Sequence, residues 1–241
     1  MSLLEVDSVV ARHGSLTAVR NVSLAVDQGS TLALVGANGA GKTTLLRVIA
    51  GAHVPSEGRV RLDGVDVTGL GAHERVRLGV ALVPEGRKLF PDLTVEENLR
   101  TARGKGLTGR WTVETVFDAF PILRPLARRR ASALSGGEQQ ATAIGRALMC
   151  NPRLLLLDEV SLGLSPIAVD GVYASLQTIM AEGGSTVLIV EQDLRRAMAV
   201  AGQIACMLEG RIVLAGTAGT LTREEITEAY FGLKKSPAGP A

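Results

Sequence analysis

The chain has 241 residues and a formal net charge of +2, enough length for one α/β domain with an inserted subdomain and no charge excess to mark a dedicated nucleic-acid binder. Aromatic residues are 3% of the chain, which leaves few platforms for stacking bases. Cys150 and Cys206 are the only cysteines, which excludes a disulfide scaffold and fits a reducing compartment.

His13, His53 and His73 are too scattered in sequence for zinc-ligand spacing. No apolar run approaches the length of a membrane span, and Met1-Ser-Leu-Leu-Glu5 has no basic start of a signal peptide. The expectation is a cytoplasmic chain that meets a membrane only through a partner.

Leu3–Val10 alternates apolar and polar residues and predicts a strand, as does Val22–Val26, with a loop or hairpin over Ala11–Val19 between them. The apolar run Thr31–Val35 predicts a buried strand. It is followed by Gly36-Ala37-Asn38-Gly39-Ala40-Gly41-Lys42-Thr43-Thr44 and then Leu45–Ala50, a helical pattern. Strand, glycine-rich turn and helix are the context of a phosphate-binding loop. Glycines let successive N–H groups turn inward toward phosphate oxygens, and the following helix adds the positive end of its dipole. Lys42 is placed to reach the terminal phosphates, and the Thr43 hydroxyl to join the shell of a Mg²⁺ ion. An ordinary glycine-rich turn is the alternative. Chance yields this pattern in on the order of one chain in a hundred of this length, and the flanking strand and helix lower that further.

Gly58–Leu62 and Val80–Val83 predict two more strands, the second stopping at Pro84-Glu85-Gly86. The character then turns helical. Thr94 with Glu97 three residues on forms a capping box, and its helix is expected to run to about Arg103. Trp111–Phe120 predicts a second helix, closed by Pro121. Residues 87–134 read as a helical subdomain inserted into the α/β core. Arg128-Arg129-Arg130 reads as a solvated face rather than a nucleic-acid patch.

In Leu134-Ser135-Gly136-Gly137-Glu138-Gln139-Gln140, Ser135 can cap a helix running to about Met149. The two glycines leave its first N–H groups open to an anion, although an N-cap with a flexible lead-in reads the same way. Leu154–Leu157 predicts a strand buried on both faces, with Asp158 and Glu159 at its carboxyl end, where open α/β sheets place their ligands. In that position Asp158 would hold Mg²⁺ and Glu159 would polarise an attacking water. Ile167–Glu182 predicts a helix, Thr186–Val190 a buried strand leading to Glu191-Gln192-Asp193, and Leu194–Ala201 a helix. Ile204–Leu208 and Ile212–Ala215 flank a Glu209-Gly210 hairpin turn, and the tail Lys234–Ala241 reads as disordered.

The phosphate loop, Leu134-Ser-Gly-Gly-Glu138 and Leu154–Glu159, in this order, resemble the ATP-binding-cassette ATPases over nearly the whole chain. The resemblance implies one domain over 1–233: a P-loop NTPase core of the α/β class with a mostly parallel sheet, an antiparallel β subdomain and the inserted helical subdomain. It also implies ATP and Mg²⁺ as cofactors and a head-to-tail dimer in which Ser135, Gly136 and Gly137 meet the γ-phosphate held by the partner's loop, with Glu138, grouped with them in the nucleotide site, standing where many members have Gln. Glu85 then lies in the loop that senses Mg²⁺ and the transmembrane partner, and Ser161–Ser165 crosses the dimer interface. His13 stands where many cassettes stack an aromatic on adenine, Val160 where proline is usual, and Gln192 where a histidine contacts the γ-phosphate.

The words Val83-Pro-Glu-Gly-Arg87, Leu93–Leu99, Ser135–Gln140, Ala143–Leu148 and Val190-Glu-Gln192 are similar to one of the two ATP-binding subunits of high-affinity branched-chain amino-acid importers. Urea and short-amide importers use similar subunits. The implied partners are transmembrane permease subunits and a second cassette, with a heterodimer expected and a homodimer as the alternative. No nucleic acid is expected. The implied location is the cytoplasmic face of the cell membrane. A soluble cassette ATPase acting on DNA or ribosomes is the competing class, but those proteins carry paired cassettes, coiled-coil insertions or zinc motifs. A subunit that binds ATP without hydrolysing it is the third reading; Glu159 opposes it.

Overall fold

The computed structural model describes residues 1–102, 108–181 and 185–233. The chain forms two compact units, one of Met1–Gly69 with the chain from Ile189 on, the other of Leu70–Leu188.

The first unit opens with two 12-residue antiparallel strands, β1 (Ser2–His13) and β2 (Leu16–Asp27). Val9 pairs with Val22 and Ala11 with Val19, all four buried, and the buried Val6 pairs with the half-buried Leu24. The span Ala11–Val19 is therefore strand almost throughout, turned at Gly14 and Ser15, with Gly14 at φ +59°. Strand β3 (Thr31–Val35) leads into helix α1 (Lys42–Ile49). Then β4 (Glu57–Leu62) pairs with β1, and the short β5 (Val65–Asp66) returns along β4 through Asp63 and Gly64, both at positive φ. The antiparallel sheet runs in the order β2-β1-β4-β5.

The second unit begins with α2 (Ala72–Arg77) and β6 (Val80–Val83). Helix α3 (Val95–Thr101) carries the expected capping box. Thr94 N–H donates to Glu97 Oε2 at 2.8 Å and Glu97 N–H to Thr94 Oγ1 at 3.2 Å. The Thr94 backbone N–H and, at 2.8 Å, the Thr94 hydroxyl both donate to the Glu97 carboxylate and hold it below its ordinary pKa. Helix α4 (Val113–Ala119) starts two residues later than expected, because Thr112 is its cap, and a 3₁₀ turn spans Pro121–Leu126. Helix α5 (Gly136–Leu148) packs Gly145 so tightly that a Cβ there would sit 2.6 Å from Val116 and 3.0 Å from Leu99. Strand β7 (Leu154–Asp158) runs parallel to β6, and all four leucines are fully buried. Each contributes roughly 1.5–3 kcal/mol by that burial. Helix α6 (Pro166–Ala181) follows. Arg103 and Glu182, the expected helix ends, lie outside the described residues, as does the tail from Lys234.

Strand β8 (Thr186–Glu191) is buried along its length, and its last three residues begin the return to the first unit. There α7 (Leu194–Val200) leads to β9 (Gln203–Leu208), which runs parallel to β3. Strand β10 (Arg211–Thr217) forms a hairpin with β9 through Glu209 and Gly210, both at positive φ, and α8 (Arg223–Phe231) closes the unit.

Candidate functional site

The loop between β3 and α1 is built by close backbone approach. A Cβ on Gly36 would lie 2.2 Å from Met207 O, and one on Gly41 2.2 Å from Ala18 O with φ already at +101°. Neither position accepts a side chain without moving the backbone. Three bonds brace the loop: Ala40 N–H to Ala37 O at 3.1 Å, Gly210 N–H to Ala40 O at 3.0 Å and Arg20 N–H to Gly210 O at 2.7 Å. The turn of the β9–β10 hairpin and strand β2 thus fix the loop. Asn38 and Gly39 are exposed at its tip.

Lys42 is buried at 4% exposure, and its Nζ donates to Gly36 O at 2.7 Å and Ala37 O at 3.0 Å. The ammonium is curled into the loop whose N–H groups would meet phosphates, within reach of the same anion. Cys206 lies beside Val35 in the β3–β9 register. Burial pushes its thiol up to about 11, against the pull of the Lys42 charge. A neutral thiol therefore lines the floor below the loop.

Thr43 and Thr44 sit in the first turn of α1. His13, the last residue of β1, is exposed and places Nε2 3.1 Å from Thr44 Oγ1. The His53 ring lies 4.7 Å from the His13 ring at 49°. His53 was not expected at this place; the early-loop histidine has a second imidazole beside it. Gln192 occupies the bend between β8 and α7, half-buried, and the next residue, Asp193, caps α7 by accepting from Arg195 N–H at 2.9 Å.

In the second unit, Glu85 is exposed at the end of β6. Gly86, Arg87 and Lys88 follow with consecutive φ of +74°, +65° and +47°, an unusual run for two residues with side chains. Arg87 holds it in place: its guanidinium donates to Gln139 Oε1 at 2.9 Å, and its carbonyl accepts from Arg146 at 3.2 Å. Gln139 in turn donates to Ala131 O at 3.1 Å. The loop bearing Glu85 is thus tied to helix α5. Nothing in the sequence signals a bond between residues 52 apart.

Ser135 caps α5, and Glu138 completes the box, accepting from Ser135 N–H at 2.7 Å. Gly136 abuts Leu164, and a Cβ on Gly137 would stand 2.8 Å from Ala168 Cβ. The glycines therefore let the turn 135–137 pack against the Ser161–Ser165 loop and the start of α6, as well as leaving N–H groups uncovered. Asp158, 3% exposed, ends β7. Glu159 adopts φ +48° and Val160 is buried. A left-handed glutamate costs on the order of 1–2 kcal/mol and persists because its surroundings hold it. Its carbonyl accepts from Leu162 N–H at 3.2 Å, so valine at 160 still permits a closed turn.

Among the described residues no group of three or more His, Cys, Asp or Glu gathers to hold a metal by itself. Taken singly, the Thr43 hydroxyl and the carboxylates of Asp158 and Glu85 are hard oxygen donors, the chemistry that Mg²⁺ prefers.

A family model described as ABC transporter matches residues 19–161. The high-affinity branched-chain amino acid transport ATP-binding protein BraG of Pseudomonas aeruginosa is 41% identical over 235 residues, 95% of this chain and 100% of BraG. The Fe(3+) ions import ATP-binding protein FbpC of Pseudomonas fluorescens is 38% identical over 225 residues, 90% of this chain and 62% of FbpC. Among solved structures, the dimeric post-hydrolysis state of the ATP-binding cassette MJ0796 bound to ADP and Pi matches with a TM-score of 0.79 at 25% identity, over 89% of this chain and 98% of that one. No helix among the described residues is long and apolar enough to cross a membrane.

Proposed function

The chain belongs to the ABC transporter family of ATP-hydrolysing subunits, and on that premise we propose that it drives import of branched-chain amino acids through permease subunits at the cytoplasmic face of the cell membrane. The observation that carries the solute is the 41% identity to BraG along that protein's full length. FbpC, at 38%, imports Fe(3+), so the cassette itself is common to importers of unlike solutes.

In this reading Gly36–Thr44 cradles the triphosphate. Lys42 leaves the carbonyls of Gly36 and Ala37, to which it now donates, and donates to the β- and γ-phosphates instead. That exchange of neutral for charged acceptors favours the bound state. His13 stacks on adenine. Thr43, Asp158 and Glu85 are the residues that would hold Mg²⁺, which would supply positive charge to offset the negative charge of the phosphates. Glu159 orients the attacking water and takes its proton. Ser135, Gly136 and Gly137 meet the γ-phosphate held by a second cassette. Because the Glu138 carboxylate is engaged with Ser135 N–H, it supports the turn rather than the anion.

Gln192 donates an uncharged amide to the γ-phosphate where relatives use histidine. An amide lacks the charge that stabilises the transition state, worth up to about a hundredfold in rate. The working unit is therefore a heterodimer whose second cassette carries histidine. The experiment is deletion of this chain's gene followed by uptake of labelled leucine, urea and ferric iron. Selective loss of leucine uptake supports the assignment; unchanged leucine uptake with loss of another solute overturns it.

A further inference from the structure

We propose that the cavity between helices α4 and α6 is a regulatory site for a free α-amino acid with a branched apolar side chain, the solute class of the importer reading on which the proposal rests. The cavity has a volume of about 480 Å³, within the range of small-molecule sites. Asp118 and Ala119 line it from α4, and Ala174, Ser175 and Ile179 from one face of α6. All of these residues belong to the second unit.

The lining carries both signs of charge beside hydrocarbon. Arg110, just before α4, supplies the cation. Its guanidinium lies over the Trp111 ring, 4.3 Å from the centroid, and its backbone is held by Thr115 Oγ1, which donates to Arg110 O at 2.9 Å. A guanidinium on a ring face keeps a planar fork with which to meet a carboxylate. Asp118, in the last turn of α4, supplies the anion. Its Oδ1 accepts from Arg124 at 2.8 Å, and among the described residues its other oxygen makes no bond. Ser175 is half-buried, and among the described residues its hydroxyl has no hydrogen bond. Ala119, Pro121, Ala174 and Ile179 supply apolar surface.

A zwitterion answers this set: its carboxylate meets Arg110, its ammonium meets Asp118, and its side chain lies on the apolar surface. A phosphate would face Asp118 as a like charge, a simple amine would face Arg110, and a neutral solute would use neither. The walls of the cavity also bear on α5. Val116 of α4 packs on Gly145, and Ala168 of α6 stands where Gly137 leaves room. A ligand that ties α4 to α6 therefore restrains α5 and the turn 135–137 at its start.

The test titrates the full-length chain by calorimetry with L-leucine, with leucinamide, which lacks the carboxylate, and with 4-methylpentanoate, which lacks the ammonium. L-leucine should bind at least tenfold tighter than either, and tighter than glycine by a similar factor. R110Q should weaken leucine at least tenfold and leave leucinamide no weaker. D118N should weaken leucine equally and leave 4-methylpentanoate no weaker. Both variants should keep the parent's melting temperature and ATP affinity. In the assembled complex, saturating L-leucine should slow ATP hydrolysis at least twofold, and should not do so with R110Q. No leucine binding by the parent at about 50 mM, or binding by both variants within twofold of the parent, overturns the site; loss of leucine uptake on gene deletion then leaves the importer reading standing. Hydrolysis unchanged by bound leucine overturns the regulatory role. Leucine binding that depends on Arg110 and Asp118, in a chain whose deletion spares leucine uptake, supports the site and overturns the importer reading.

Discussion

Asn98 is wholly buried in α3 and ties the loop before the helix to the helix itself. Its Oδ1 accepts from Phe90 N–H at 2.9 Å, and its Nδ2 faces Phe90 O, Leu93 O and Thr94 O at 3.0, 3.2 and 3.0 Å. Asn98→Ala removes all of them. The amide of Phe90 is left without this acceptor, a cost of roughly 1–3 kcal/mol, and the two amide protons forfeit two bonds of about 0.5–1.5 kcal/mol each. The sum is about 2–6 kcal/mol, a large share of the stability of a typical domain. Urea unfolding should register a loss near 4 kcal/mol, and hydrogen exchange at the Phe90 amide should accelerate about a thousandfold. ATP affinity should stay within twofold, because Lys42 and its loop belong to the first unit. A loss below about 1 kcal/mol, with Phe90 still protected, would refute the reasoning.

Lys42→Ala should abolish measurable ATP binding in calorimetry, since charge-assisted bonds of roughly 1.5–3 kcal/mol each vanish from the phosphate cradle; affinity equal to the parent would contradict the loop's assignment. His13→Tyr should strengthen ATP binding and sharpen the preference for adenine by about 0.5–1.5 kcal/mol of added stacking; an unchanged base preference in competition titrations would place His13 outside the base pocket. Gln192→His should raise the ATPase rate of the isolated chain by about ten- to a hundredfold; a high rate in the parent chain alone, with no gain from histidine or a partner cassette, would remove the case for a heterodimer.

Much of the core was legible because its signals are local. The strand-turn-helix of Thr31–Ile49, the four leucines of β7, the capping box of Thr94 and Glu97 and the hairpin at Glu209 and Gly210 all appear where periodicity and turn chemistry put them. The long β1–β2 hairpin was read short because bulges interrupt its alternation at several points between Ser2 and Arg12. Helix α2 is barely more than a turn, and β5 has two residues, too short for any period to show. Helix α8 went unread although Thr222 and Glu225 form a capping box that marks its start; its weak amphipathicity hid it. The bracing of the phosphate loop by Gly210, the Arg87–Gln139 tie and the pairing of His13 with His53 join residues far apart in sequence. Such contacts leave no periodic trace and become readable only once the fold has closed.

The most direct test is single-turnover ATP hydrolysis by the assembled complex carrying Glu159→Gln. A carboxylate that orients water acts on the chemical step and hardly on binding. The variant should therefore bind ATP within a few-fold of the parent, hydrolyse it at least about a hundredfold more slowly and accumulate as an ATP-bound dimer in size-exclusion chromatography. Turnover within a few-fold of the parent, at equal ATP occupancy, would contradict the assignment of Glu159 as the residue that drives hydrolysis.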